Sequence, residues 1–81
     1  MKSYLSAEFV RWNKRLDDLA EKVLTEDDLE ACIAKSIELK AELWLNQSSL
    51  LNAMEFRILN SYLAKIRLQI SEYLRKDDTN D

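Results

Sequence analysis

Residues 5–23 run LSAEFVRWNKRLDDLAEKV, and their spacing decides the fold. Leu5, Phe9, Trp12, Leu16, Leu19 and Val23 recur at steps of four, three, four, three and four. That period puts all six on one side of a helix. Glu8, Arg11, Lys14, Arg15, Asp17, Asp18, Glu21 and Lys22 occupy the other sides. Ser3 or Ser6 can cap the start by accepting a backbone N–H. Lys14–Asp18 and Asp18–Lys22 are pairs one turn apart, each worth a few tenths of a kcal/mol. The bases of this helix come early and its acids late, against the helix dipole, so packing of the stripe must outweigh that cost.

The stripe loses phase at Leu24-Thr25-Glu26-Asp27-Asp28. Thr25 followed by three acids has the pattern of an N-cap with a first turn that favours negative charge. A tight turn is therefore expected at 24–26, with no glycine to ease it; one continuous helix from 3 to 46 is the alternative. The second helix is expected over about 26–45. Leu29, Cys32, Ile33, Ile37, Leu39, Ala41, Leu43 and Trp44 spread over a wide arc of it, and Ser36 and Lys40 fall inside that arc. Leu43, Trp44 and Leu45 are consecutive, so they cannot all point into one core; Leu45 is expected to face the turn or a partner.

Asn46-Gln47-Ser48-Ser49 is polar and rich in capping side chains, which marks a second break. The third helix is expected over 49–76, with a main stripe of Phe56, Leu59, Leu63, Ile66, Ile70 and Tyr73. A second stripe, Leu51, Met54, Ile58 and Tyr62, runs beside its start. A helix that apolar touches two neighbours and belongs at the centre.

Composition agrees with this pattern. The 81 residues contain no glycine, proline or histidine, and 47% are hydrophobic. The fold class expected is all-α, a three-helix antiparallel bundle with helices at about 4–24, 26–45 and 49–76, the third longest and central. Residues 1–76 form one domain, and the acidic stretch 77–81 is expected to be a disordered tail. A chain this short has a thin stability margin and must rely on dense packing or association.

The same composition excludes several chemistries. Histidine, the side chain that titrates near neutrality, is missing. Cys32 is the single cysteine, so no disulfide forms within the chain and no Cys/His metal site can be assembled. On an apolar helix face it fits a small buried hydrophobe. The acids Glu26, Asp27, Asp28 and Glu30 lack the glycine turn and spaced oxygens of a calcium loop. The arginines Arg11, Arg15, Arg57, Arg67 and Arg75 lie off the main stripes, unlike the inward arginines of small helical enzymes such as the chorismate mutases. No catalytic residue, cofactor, metal or small-molecule substrate is implied. The N-terminal residues lack the apolar run of a signal peptide, no stretch is apolar enough to span a membrane, and one unpaired thiol suits a reducing cytoplasm.

Charge is segregated. Residues 1–16 carry four bases and one acid, 17–42 nine acids and three bases, and 43–76 five bases and two acids. Arg57, Lys65, Arg67, Arg75 and Lys76 could touch phosphates, but a net charge of −3 argues against nucleic acid as the primary partner. What remains is association with protein, through a homodimer or a helical heteropartner. The candidate contact residues are Trp44, Leu45, Leu50 and Leu68, edged by Arg57 and Arg75. The expected function is a small helical interaction module of adaptor, co-chaperone or inhibitor type. Short acidic helical chains of this build occur among secretion co-chaperones, antitoxins and phage or plasmid accessory proteins, a likeness of size and fold class only.

Overall fold

The computed structural model describes residues 6–26, 28–45 and 51–79, with side chains to 76. They form three helices, α1 (Ala7–Leu24), α2 (Leu29–Leu45) and α3 (Ala53–Thr79). Both α1 and α2 pack more extensively on α3 than on each other, so the longest helix is the central one. The bundle is elongated, 51 × 28 × 17 Å, because α3 alone runs 27 residues.

Each helix starts about three residues later than the periodicity implied, and the caps explain why. Ser6 is extended (φ −71°, ψ 159°), and its Oγ accepts the Phe9 N–H at 3.0 Å. At the first turn the expectation for Thr25 is corrected. It closes α1 rather than opening α2. Its N–H donates to the Glu21 carbonyl at 3.1 Å, and its hydroxyl donates to the Lys22 carbonyl at 3.1 Å. Glu26 follows with φ 53° and donates its N–H to the Val23 carbonyl at 3.0 Å, the geometry of a left-handed helix stop. Asp28 then caps α2, its Oδ1 accepting the Ala31 N–H at 3.2 Å. Asp28 also has φ 53°. Two left-handed residues without glycine cost about 1–2 kcal/mol each, which the caps and the packed flanks must offset. A continuous first and second helix is thereby ruled out.

The second break was expected at Asn46–Ser49, which lie outside the described residues, as do Ser3, Leu5 and Leu50. The cap of α3 is Asn52. Its Oδ1 accepts the Glu55 N–H at 2.7 Å, and Glu55 Oε1 accepts the Asn52 N–H at 3.2 Å, a reciprocal capping box. The Glu55 carboxylate does more than cap its own helix. Oε2 accepts the Ser6 N–H at 2.8 Å, and Oε1 accepts the Ser6 hydroxyl at 3.1 Å. One carboxylate, 3% exposed, thus joins the first turns of α1 and α3. The Ser6 backbone bond is the main reason its pKa lies below the usual carboxylate value of 4.5; burial pushes the other way, and the Asn52 N–H and Ser6 hydroxyl add to the lowering. A depressed carboxylate stabilises the fold fully above pH 4.5 and loses that contribution as pH falls through the folded value.

The stripe of α1 is buried at every described position: Phe9, Trp12, Leu16, Leu19 and Val23. From α2 come Cys32, Ser36, Leu39 and Leu43, a narrower set than the arc in the sequence. Ser36 is tolerated in the core because its hydroxyl donates to the Ile33 carbonyl at 2.7 Å. Lys40, which shares the arc, is exposed. From α3 come Leu59, Leu63, Ile66 and Ile70, with Phe56 and Tyr73 half-buried at the ends. The second stripe is corrected: Leu51 is buried ahead of the helix, but Met54 and Ile58 face solvent. Ile58 sits about 100° round the helix from Leu59 and about 140° from Leu63, outside the arc two neighbours can cover. At its C-terminus α3 continues through Asp77 and Asp78 to Thr79, past the boundary expected at 76.

Urea denaturation tests the first turn. Asp28→Ala removes a cap while keeping a left-handed residue, so it should cost about 1–2 kcal/mol, and Asp28→Gly only a few tenths. Glu26→Gly should hold or raise stability, whereas Glu26→Val should lower it by about 1–2 kcal/mol. A neutral Asp28→Ala would contradict this turn.

Candidate functional site

A bundle this small fills its interior with one row from each helix, so bulky side chains on adjoining rows are left outside. The largest such collection lies along the seam where α2 meets α3. Ile33, Ser36 and Ile37 form the α2 side of a groove, and Ala64, Arg67, Leu68, Ser71 and Leu74 form the α3 side, with Ile70 beneath. Ile37 is 55% exposed, Leu68 58% and Leu74 37%, while Ile70 is buried. Small residues (Ser36, Ala64 and Ser71) line the groove together with large aliphatics. That is the shape a partner helix enters. Arg67 is the one charged residue lining the groove.

Trp44 ends the same face of α2 at the other end of the seam. Its ring meets Phe56 edge to face, with centroids 4.9 Å apart and planes at 88°. Leu45 is 84% exposed beside it, pointing away from the core as the run of three apolar residues required. Leu68 lies twelve residues beyond Phe56, about 18 Å along α3, so Trp44 and Leu68 share a face without touching. Arg57 stands with Met54, Ile58, Ser61, Tyr62 and Lys65 on the outer side of α3. Arg75 is exposed one turn past Ser71. The structure therefore distributes the candidate residues over two ends of the seam and one outer face. Ile37 and Leu74 belong with Leu68 and were not singled out in the sequence; their signal was position one or two turns from apolar neighbours on the facing helix.

Glu55 changes the electrostatics of this surface. It is the acid that α3 turns inward, so between Ala53 and Lys76 Glu72 is the one exposed acid among the described residues. Arg57, Lys65 and Arg67 are exposed and make no ion pair among the described residues. Exposed acids gather at the end of α1 and in the turn after it, where Asp17, Asp18, Glu21, Glu26 and Asp28 are exposed.

A second crevice separates α1 from α2 near their turn, lined by Arg15, Asp18, Lys22, Asp28, Cys32 and Lys35 among others. Most of its charges are already committed to the fold. Arg15 stacks 4.5 Å over the Trp12 ring and bonds to Glu42 of α2. Lys35 pairs with Glu38 at 3.1 Å, and Asp28 caps its helix. The Cys32 thiol is buried. Tyr62 fastens α3 to α1 by donating its hydroxyl to Asp17. That bond, then burial, then the Asp17 charge push the phenol up to about 12. Its contribution to stability is therefore whole below pH 10.0 and is lost as pH rises from there through about 12. Among the described residues no three His, Cys, Asp or Glu side chains converge to hold a metal ion, and no helix is long and apolar enough to cross a membrane. No protein-family model, curated protein or solved structure matches this chain.

Alanine substitution should separate the interior from the seam. Leu59→Ala should cost about 2–5 kcal/mol through lost burial and a cavity. Leu68→Ala should stay within about 0.5 kcal/mol of the parent. Chemical denaturation reads both, and a Leu68 cost equal to that of Leu59 would make Leu68 a core residue.

Proposed function

We propose that this chain is a small helical protein–protein interaction module, of adaptor, co-chaperone or inhibitor type, that acts by binding through the apolar face where α2 and α3 meet. The observation that carries this reading is the exposure of Ile37, Leu68 and Leu74, which line one groove with the small residues Ser36, Ala64 and Ser71. The molecule's own core is closed beneath them at Ile70. Covering three half-exposed aliphatics contributes roughly 1 kcal/mol apiece, so the occupant's further contacts must supply the rest of the affinity. Binding, rather than catalysis, is the biochemistry, and a reducing cytoplasm is the setting that suits the single thiol.

A second reading has a specific observation in its favour, the unpaired exposed cations Arg57, Lys65 and Arg67 on α3. These could approach phosphates when the chain sits in a complex with another protein. Met54, Ile58 and Leu68 interrupt the basic surface, so the cations form no continuous track.

Leu68→Glu tests the first reading. Proteins recovered with the parent by crosslinked capture from the source cells should be absent from the Leu68→Glu capture, with helicity by circular dichroism unchanged. Equal recovery with both chains would overturn the seam as the binding face. The second reading requires retention on heparin that falls with added salt and is unaffected by Leu68→Glu.

A further inference from the structure

The groove between α2 and α3 specifies the charge of what covers it. This inference rests on the seam being the binding face and goes on to the chemistry of the occupant. Charges of both signs stand near the rim. On α2, Lys40 stands one turn from Ile37 and Glu30 one turn from Ile33; on α3, Lys65 and Glu72 stand one turn to either side of Leu68. Inside the rim stands Arg67, with no carboxylate among the lining residues and no ion pair among the described residues. An apolar helix laid over Ile37, Leu68 and Leu74 would strip water from that guanidinium. Covering a cation without a partner costs more than the aliphatic contacts return. The occupant must therefore supply the missing carboxylate.

We infer that the α2–α3 groove takes an acidic amphipathic helix of a partner protein, its apolar stripe against Ile37, Leu68 and Leu74 and a carboxylate on Arg67. The small lining residues Ser36, Ala64 and Ser71 leave room for an incoming backbone, and the docked helix completes a four-helix arrangement. A second copy of this chain fits less well. A two-fold interface puts the same patch on both sides and brings two Arg67 side chains into it, so each must reach a rim acid such as Glu72 of the other copy rather than a carboxylate that lines the groove.

The test uses the full chain and a display library of 20-residue helical peptides, with a fixed leucine stripe and randomised polar positions. Peptides enriched on the parent should carry net negative charge. Leu68→Glu and Arg67→Glu should each weaken them at least tenfold, with Leu24→Glu, an exposed apolar position elsewhere, as the unaffected control. Selection on Arg67→Glu should shift the enriched peptides to lysine. Circular dichroism must show equal helicity in every variant. Enriched peptides that depend on Leu68 but are neutral or basic would overturn the acidic occupant and leave the seam standing. Peptides indifferent to Leu68→Glu, or no enrichment at all, would overturn both. A dimer in light scattering that Leu68→Glu dissolves would make the occupant a second copy. Retention of a 20-base-pair DNA duplex, lost with Arg67→Glu but not with Leu68→Glu, would make it nucleic acid.

Discussion

The carboxylate of Glu55 sets the rotation of α3, and much else follows from that rotation. It accepts N–H groups from Asn52 on its own helix and from Ser6 on α1, so it can satisfy both only by facing inward. With Glu55 turned in, Met54 before it and Ile58 after it must turn out. The same phase delivers Leu59, Leu63, Ile66 and Ile70 to the core and leaves Leu68 beside α2 in solvent. A buried carboxylate is expensive unless its lone pairs are used, and here they accept two backbone N–H groups and a hydroxyl.

The electrostatics follow from the same contact. Turning Glu55 inward leaves Glu72 as the one exposed acid between Ala53 and Lys76 among the described residues, beside the cations of α3 in a net acidic protein. The acids of α1 and α2 are used locally, at the Asp28 cap, the Glu42 contact with Arg15 and the Asp17 contact with Tyr62. The result is a bundle with cations exposed along α3 and exposed acids gathered between Asp17 and Asp28. Polarity of this kind steers encounter and chooses partners more than it stabilises the fold.

Much of this architecture is legible in the sequence, and the misses have physical causes. The α1 stripe is regular enough that all its described members are buried. Thr25 misleads because a threonine before acids looks like an N-cap, while Asp28, three residues on, holds that position in a left-handed conformation nothing in the pattern signals. The start of α3 is encoded in Asn52 with Glu55 three residues later, although Asn46–Ser49 is the more polar stretch. In α2 apolar residues occur all round, so periodicity could not tell that Ser36 is buried and Ile37 exposed. The candidate surface suffers from a different limit. Angular position on a helix groups Leu68 with Arg57 and Arg75, but it carries no axial distance, and Trp44 sits at the other end of the seam.

The most direct measurement is the titration of the Glu55 carboxyl carbon in the folded protein, followed by carbon-13 nuclear magnetic resonance. If Glu55 joins the two helix starts as described, its midpoint lies below 4.5 and the Ser6 amide proton shifts at the same pH. A midpoint at or above 4.5 with an unresponsive Ser6 amide would mean that the carboxylate does not hold α3 in this rotation, and the groove beside α2 would have no fixed lining.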